Sequence, residues 1–314
     1  MKPTILMVPQ LPARFVERLK EDYQVLGPLG TAGPGALPLG AAEVRALLTM
    51  GTLTTDAALI DALPSLELIC CYGTGFEGVD RAHAASRGIA IANAGSANAG
   101  AVAEYAIGLM LATTRQIASG DRFVRAGSWK GNSVERMPMR AGLSGRRVGI
   151  YGLGAIGTRI ARLAAGFSVQ IGYHNRSART DVPYLYHDSL IGLAEWADIL
   201  VVAARAGASN YHAVDARVLA ALGSEGHLVN ISRGIAVDQD AVADALERGV
   251  IGGAALDVFE REPEVPARLK ALPNIVLTPH IAANATSAQE AQQSTMLANL
   301  AAFFDGKPLV SEVR

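Results

Sequence analysis

Short apolar runs rich in β-forming residues alternate with helix-length amphipathic segments along almost the whole chain. Strands connected in this way pair in parallel, and a parallel sheet needs helices on both of its faces. The sequence therefore predicts an α/β protein built on doubly wound parallel sheets. The predicted strands are residues 4–8, 66–72, 89–92, 147–151, 169–173, 199–203, 227–231, 253–258 and 275–278.

The chain has 314 residues, which is more than one hydrophobic core usually holds, so two domains are expected. Two long segments with helical periodicity, residues 101–115 and 285–304, are positioned to connect them. We expect the chain to leave the first domain near Asn98 and to return near Asn284. One continuous domain of residues 98–283 is then inserted into a domain made of residues 1–97 and 284–314.

Charge and hydropathy argue against several kinds of partner. Only 18% of the residues are charged and the formal net charge is -1, so no basic excess is present to bind a phosphate backbone. The longest apolar stretch, residues 101–112, contains Glu104 and is shorter than the roughly 20 residues that cross a bilayer. The N-terminal residues lack a signal-sequence pattern. We expect a cytoplasmic protein that binds neither nucleic acid nor membrane.

The two cysteines, Cys70 and Cys71, are adjacent in a predicted strand. Neighbouring strand residues point to opposite faces, so a disulfide between them is disfavoured and both are predicted to be small core residues. A nucleophilic thiol is the alternative, but no activating partner is visible nearby in the sequence. The chain has neither a CxxC pair nor an HExxH motif, so no metal site is predicted.

A predicted strand, a G-x-G-x-x-G turn and an Ala-rich helix follow one another from residue 147 to residue 165. Gly152 permits the tight turn, Gly154 permits close approach of a pyrophosphate, and Gly157 permits close packing of helix on sheet. An ordinary strand-to-helix turn is the alternative, but the next strand arrives at the spacing of a dinucleotide-binding unit. The residues expected to bind the cofactor are Gly152, Leu153, Gly154, Ala155, Ile156 and Gly157.

The residues after the second strand of this unit indicate which dinucleotide is bound. About 20 residues beyond the glycine turn, an NAD site normally offers a carboxylate to the ribose hydroxyls. Here the chain has Asn175, Arg176 and Ser177, and no carboxylate appears until Asp181. A guanidinium can hold the extra phosphate of NADPH, and Arg179 is expected to add to the positive field. NADPH is the expected cofactor, and NADH is the alternative. The basic residues could instead belong to a solvated loop with no role in cofactor binding.

Three further motifs follow predicted strands: NISRG from Asn230, DVFEREP from Asp257, and TPHI from Thr278. In an open α/β sheet, ligands bind outside the carboxyl ends of the strands. The polar residues of these motifs are therefore expected to converge beside the nicotinamide.

In this order, the glycine turn, NISRG, LDVFEREP and TPHIAANAT resemble the D-isomer-specific 2-hydroxyacid dehydrogenase family over essentially the whole chain. Within the family, the sequence is most similar to the glyoxylate and hydroxypyruvate reductases. The resemblance implies a Rossmann NAD(P)-binding domain inserted into a flavodoxin-like substrate domain, and a homodimer formed through the Rossmann domains. It also implies that the protein is an oxidoreductase that reduces a small 2-keto acid, with glyoxylate or hydroxypyruvate favoured, to the D-2-hydroxy acid.

The resemblance further implies that Arg233, Glu262 and His280 are the catalytic residues. His280 would exchange a proton with the carbonyl oxygen, and Glu262 would orient the ring and stabilise the imidazolium. Arg233 would hold the substrate carboxylate and carbonyl oxygen, so Arg233 and His280 both contact the substrate. Taken singly, each residue has a plainer interpretation as a surface charge, a solvated acid or a core histidine. Their order and spacing favour the functional one.

Other family positions fall on residues of both predicted domains. The carboxylate-binding turn corresponds to Thr74 and Gly75, whose N–H groups would form an anion-binding concavity, although a plain strand-end turn is the alternative. Met50 and Gly51 are expected to line the substrate cleft, and Asp257 to contact the nicotinamide carboxamide.

The chain departs from the family where many members carry Pro and then Thr over the cofactor, because Arg205 and Asn210 stand there. No site residue is predicted from that loop. Two other functions share these motifs: a dinucleotide-sensing, corepressor-like binding module, and another D-2-hydroxyacid dehydrogenase such as a phosphoglycerate dehydrogenase. The absence of extra peptide-docking segments disfavours the first. The second would need additional cationic residues to bind a phosphorylated substrate, and the sequence does not clearly provide them.

Overall fold

The computed structural model describes residues 2–30, 37–130, 139–205 and 207–313. The chain divides into two compact units, one made of Met1–Asn98 and Ala285–Arg314 and the other of Ala99–Asn284. Each unit has its own parallel sheet and its own hydrophobic core on both faces of that sheet. The unit boundaries stand one residue away from those expected from the sequence.

The first unit contains a five-stranded parallel sheet in the order β2-β1-β3-β4-β5. This is the flavodoxin-like strand order. The central strands are buried almost throughout, as strands covered by helices on both faces must be. The strands are β1 (Thr4–Met7), β2 (Gln24–Leu26), β3 (Val44–Thr49), β4 (Leu68–Cys71) and β5 (Ala90–Ala92).

The second unit contains a seven-stranded parallel sheet in the order β12-β11-β10-β9-β6-β7-β8. Counted from β6, this is the Rossmann order 3-2-1-4-5-6 with one further strand at the edge. The predicted fold class, two doubly wound parallel sheets of Rossmann and flavodoxin-like type, is confirmed. The strands are β6 (Arg147–Tyr151), β7 (Gln170–His174), β8 (Leu185–Tyr186), β9 (Ile199–Val202), β10 (His227–Asn230), β11 (Gly253–Leu256) and β12 (Ile275–Leu277).

Helices cover both faces of each sheet, and several of them begin at an Asp or Ser side chain that accepts a backbone hydrogen bond. The side chain of Asp238 accepts a hydrogen bond from Ala241 N at 3.0 Å and so begins the helix of residues 239–247. The helices are α1 (Ala13–Asp22), α2 (Ala57–Asp61), α3 (Arg81–Ser86), α4 (Ala99–Thr114), α5 (Ile117–Arg125), α6 (Ala155–Ala165), α7 (Leu190–Trp196), α8 (Ala216–Leu222), α9 (Gln239–Glu247), α10 (Ala267–Ala271) and α11 (Thr286–Phe304).

Three strands, β2, β3 and β8, were not expected from the sequence. The segment around β3 is rich in Ala, Glu, Arg and Leu, which favour helix intrinsically. Its position between β1 and β4, with only Arg45 exposed, overrides that preference because burial on a pleated surface decides strand formation. The other two have only three and two residues and offer almost no pattern to detect.

The two cysteines lie fully buried in β4 and form no disulfide. Burial raises the pKa of Cys71 to about 12 and raises the pKa of Cys70 as well, so both thiols stay protonated near neutral pH. They are core residues, as predicted. Among the residues that the structure describes, no helix combines the length and the apolar character needed to span a membrane.

Candidate active site

The glycine turn between β6 and α6 has different steric surroundings at each of its three glycines. Gly152 has a φ of +98°, and a Cβ there would lie 2.4 Å from the backbone N of Ala204. At Gly157 a Cβ would lie 2.2 Å from the carbonyl oxygen of Gly152, whereas at Gly154 it would meet nothing within 4 Å. Gly152 and Gly157 therefore satisfy backbone constraints, while Gly154 leaves an open side that a ligand can approach.

The first amides of α6 are unsatisfied donors. The N–H groups of residues 154–157 donate to no acceptor in the described part of the chain. By contrast, Gly152 N donates to the His174 carbonyl at 3.0 Å, and Leu153 N donates to Asn175 Oδ1 at 2.7 Å. Unsatisfied amides at a helix N-terminus attract anions. The residues present therefore fit the pyrophosphate of a dinucleotide.

The loop after β7 presents one free cation beside this turn. Arg176 is exposed and makes no hydrogen bond or ion pair with any described residue, and Ser177 is exposed next to it. Asn175 has its Oδ1 occupied by Leu153 N, so its Nδ2 is the atom left to donate. Arg179 differs, since it is paired with Asp181, which offsets the charge it was expected to add.

Arg233, Glu262 and His280 follow three neighbouring parallel strands, β10, β11 and β12 respectively. The carboxyl ends of parallel strands meet at one edge of the sheet, and the glycine turn after β6 lies at that same edge. The fold therefore places all three residues at the edge where a dinucleotide would bind.

His280 and Glu262 form a close pair. His280 Nδ1 lies 2.7 Å from Glu262 Oε2, and Glu262 Oε1 accepts a hydrogen bond from Phe259 N at 3.0 Å. An ionised carboxylate only accepts hydrogen bonds, so chemistry assigns the Nδ1 proton to the histidine. His280 Nε2 has no partner within the described ranges and is the nitrogen left to exchange a proton with a ligand.

Asp257 holds the backbone around His280. Its carboxylate is fully buried and accepts hydrogen bonds from Thr278 Oγ1 at 2.6 Å, Ile281 N at 3.0 Å and Ala282 N at 2.9 Å. Its carbonyl oxygen accepts from His280 N at 2.7 Å, which fixes His280 at a left-handed φ of 53°. Side chains held at positive φ cluster at functional sites. A contact between Asp257 and the nicotinamide carboxamide stays a prediction.

Arg233 is half-buried in the loop after β10. Its carbonyl oxygen accepts a hydrogen bond from Asn230 Nδ2 at 3.1 Å, and its Nη1 donates to the Ser232 carbonyl at 2.9 Å. At Gly234 a Cβ would lie 1.9 Å from the carbonyl carbon of Phe259. A glycine is required here because the loop that carries Arg233 contacts the loop that leads to Glu262.

Sequence reasoning missed a second His–Glu pair behind these loops. His212 Nε2 lies 3.0 Å from Glu260 Oε1, and His212 N donates to the Ile235 carbonyl at 2.8 Å. Glu260 Oε1 also accepts from Gln239 N at 3.3 Å. The pair joins the loops that carry Arg233 and Glu262. Glu260 belongs to the DVFEREP motif, but nothing in the sequence connects His212 to it.

The loop that departs from the family pattern is closed by its own asparagine. Asn210 Oδ1 accepts from Gly207 N at 2.7 Å, and Asn210 Nδ2 donates to the Arg205 carbonyl at 2.9 Å. The side chain that replaces the expected threonine thus organises the loop backbone.

The turn that contains Thr74 and Gly75 lies in the first unit, directly after β4. The Thr74 carbonyl accepts from Asn93 Nδ2 at 2.7 Å, and a Cβ at Gly51 would lie 1.7 Å from the Gly75 carbonyl oxygen. The N–H groups of Thr74 and Gly75 donate to no described residue. Two free amides in a braced turn fit a carboxylate. Met50, next to Gly51, is partly exposed.

Metal-ligand geometry is not found in the part of the chain that the structure describes, because no group of three or more His, Cys, Asp or Glu side chains is arranged to hold an ion.

The Rossmann strand order, the glycine turn and the His–Glu pair together define a dinucleotide-dependent oxidoreductase. Comparison with known families gives the particular class. Residues 107–282 match the NAD binding domain of the D-isomer specific 2-hydroxyacid dehydrogenases, and the chain belongs to that family.

Relatives match over nearly the whole chain. A glyoxylate/hydroxypyruvate reductase of Arabidopsis thaliana is 38% identical, over 90% of this chain and 86% of that protein. A hydroxyphenylpyruvate reductase of Plectranthus scutellarioides is 40% identical, over 88% of each chain. The crystal structure of an NADPH-dependent glyoxylate/hydroxypyruvate reductase from Sinorhizobium meliloti, in complex with NADP and malonate, has a TM-score of 0.91 and 37% identity. It covers 100% of this chain and 97% of that one.

Proposed function

We propose that this oxidoreductase uses NADPH to reduce a small 2-keto acid, with glyoxylate and hydroxypyruvate favoured, to the D-2-hydroxy acid. The observation that carries the proposal is the 2.7 Å contact between His280 Nδ1 and Glu262 Oε2. That contact leaves Nε2 to serve a substrate oxygen at the sheet edge where the glycine turn lies. The named activities of the relatives from Arabidopsis and Sinorhizobium support the same chemistry.

The dinucleotide, when bound, supplies the hydride. His280 donates its Nε2 proton to the carbonyl oxygen as negative charge develops there, and Glu262 stabilises the imidazolium and fixes its orientation. Arg233 holds the substrate carboxylate and carbonyl oxygen and stabilises the developing alkoxide. In the reverse oxidation, neutral His280 takes the proton back, so the same three residues serve both directions.

Further residues complete the proposed site. The free amides of Thr74 and Gly75 are proposed to bind the substrate carboxylate, and Met50 and Gly51 to line the substrate site. The relatives act on substrates as different as glyoxylate and hydroxyphenylpyruvate, which share a carboxylate next to a ketone or aldehyde carbon. The proposed polar residues bind that shared group. They therefore define the class of substrate, but they do not determine the size of the group attached to it.

NADPH preference depends on Arg176, and Arg176→Ala is expected to lower the ratio of kcat/KM with NADPH to kcat/KM with NADH by about tenfold or more. The physical reason is the loss of a charge-assisted hydrogen bond to the phosphate that only NADPH carries. The measurement is glyoxylate reduction with both cofactors on wild type and variant.

The matched control is Arg162→Ala, which removes an exposed arginine from α6 in the same unit and is expected to leave the ratio unchanged. A wild type that uses NADH as well as NADPH would refute the preference. A wild type that binds NADPH without turning over any 2-keto acid would support the alternative of a dinucleotide-sensing module.

A homodimer formed through the Rossmann unit is proposed as the assembly. Helix α5 of that unit is strongly amphipathic and buries none of its residues, and Ile117 and Val124 on it are exposed. Trp129 lies exposed just beyond the helix. Exposed apolar side chains grouped in this way are typical of protein interfaces. A cytoplasmic location and the absence of nucleic acid partners stay predictions.

A further inference from the structure

We propose that Arg179 is a positioning residue that holds the glycine turn in shape for any nicotinamide dinucleotide, while Arg176 alone discriminates NADPH from NADH. This inference rests on the proposed role of the turn in cofactor binding. The two arginines stand three residues apart in one loop and were both expected to contribute positive charge. Their surroundings in the structure differ completely.

Arg179 contacts the turn directly. Its Nη1 donates to the Leu153 carbonyl at 2.8 Å and to Thr158 Oγ1 at 3.0 Å. Leu153 is the residue between the first two glycines, and Thr158 lies in the first turn of α6. The Leu153 N–H is held by Asn175 Oδ1 at 2.7 Å. Both backbone polar groups of Leu153 are thus satisfied by side chains of the loop after β7.

Arg179 is itself fixed from two sides. Its Nε donates to Asp181 Oδ1 at 2.9 Å, and this hydrogen bond lowers the pKa of the Asp181 carboxyl and raises the pKa of the guanidinium. Its backbone N donates to the hydroxyl of Tyr173 at 2.7 Å, and Tyr173 is only 1% exposed. A side chain that is ion-paired and bonded inward holds the turn and presents little free charge to a phosphate.

The amides that follow this braced turn, residues 154–157, face the pyrophosphate, which NADPH and NADH share. Distorting the turn therefore weakens the binding of NADPH and of NADH equally. Arg176, exposed and without a described partner, acts only on the phosphate that NADPH carries alone. The two roles predict different patterns of affinity, and the NADPH-to-NADH ratio separates them.

The test is titration of the full-length protein with NADPH and with NADH, in which nicotinamide fluorescence reports binding. Arg179→Met is expected to raise the Kd of both cofactors by about tenfold while their ratio stays within about twofold of wild type. Arg179→Lys keeps the positive charge and one donor nitrogen. Its Kd values are expected to lie between those of wild type and those of Arg179→Met. Arg162→Met, on the exposed face of α6, is the control and is expected to change neither Kd.

The melting temperature of the free protein is measured alongside, because a purely structural role would lower it without a parallel rise in both Kd values. An NADPH-to-NADH ratio that falls in Arg179→Met as it does in Arg176→Ala would overturn the assignment, since Arg179 would then be a phosphate ligand. Unchanged Kd values in Arg179→Met would overturn it as well. A different result would contradict the proposed function, namely a wild-type protein that binds dinucleotide but reduces no 2-keto acid.

Discussion

Arg233→Ala is expected to lower kcat/KM for glyoxylate or hydroxypyruvate by about 10²-fold or more, with little change in the Kd of NADPH. The guanidinium is the cationic group that the loop after β10 brings to the carboxyl edge of the sheet, and Asn230 and Gly234 hold that loop in place. The substrate loses its bidentate anchor and the alkoxide loses its stabilising charge. Steady-state kinetics and cofactor titration on the same preparation measure both quantities.

The control for this variant is Arg248→Ala, which removes an exposed arginine after α9 in the same unit. It is expected to leave kcat/KM unchanged. Near wild-type turnover in Arg233→Ala would remove Arg233 from the site, and an equal loss of NADPH affinity would show that its role is structural.

His280→Ala is expected to lower kcat by about 10²- to 10⁴-fold, because the proton must then reach the carbonyl oxygen from water. Glu262→Gln is the informative companion. The Glu262 carboxylate accepts the hydrogen bond from His280 Nδ1 and so holds the ring with Nε2 directed to a ligand. Without that charged acceptor, kcat is expected to fall by about tenfold or more. The measurement is kcat for reduction in wild type and in both variants under the same conditions.

The first unit offers a matched control. His83 Nε2 lies 2.7 Å from Asp61 Oδ1, a pair with the same chemistry as His280 and Glu262 but outside the proposed machinery. His83→Ala is expected to leave kcat unchanged. If Glu262→Gln also leaves kcat unchanged, His280 and Glu262 do not act as a coupled pair.

Much of the fold could be predicted because its signals are local. The helix α6 runs from Ala155 to Ala165 as its sequence predicted, since a glycine turn precedes it and Gly166 ends it. β6 likewise matches its predicted bounds. β3 could not be predicted, because its helix-forming residues become a strand only through burial between two others.

Sequence motifs predict candidate site residues, but they do not predict the hydrogen bonds that connect those residues. Motifs placed Glu262 and His280 at strand ends, yet their contact joins residues 18 apart. The bond between Arg179 and the Leu153 carbonyl joins residues 26 apart and so has no local signature, although the pair of Arg179 with Asp181 is local. The contact of Asp257 with the cofactor, which the resemblance implies, stays a prediction, and the structure adds that its carboxylate is hydrogen-bonded to the backbone after His280.

The central claim, D-specific reduction of a 2-keto acid with NADPH, is tested most directly by the configuration of the product formed from hydroxypyruvate. Glyoxylate cannot serve here because glycolate is achiral, whereas glycerate has one stereocentre at the reduced carbon. Incubation with NADPH and hydroxypyruvate, followed by chiral chromatography, is predicted to give D-glycerate in step with NADPH consumption. Formation of L-glycerate, or no NADPH consumption with any short 2-keto acid, would contradict the account.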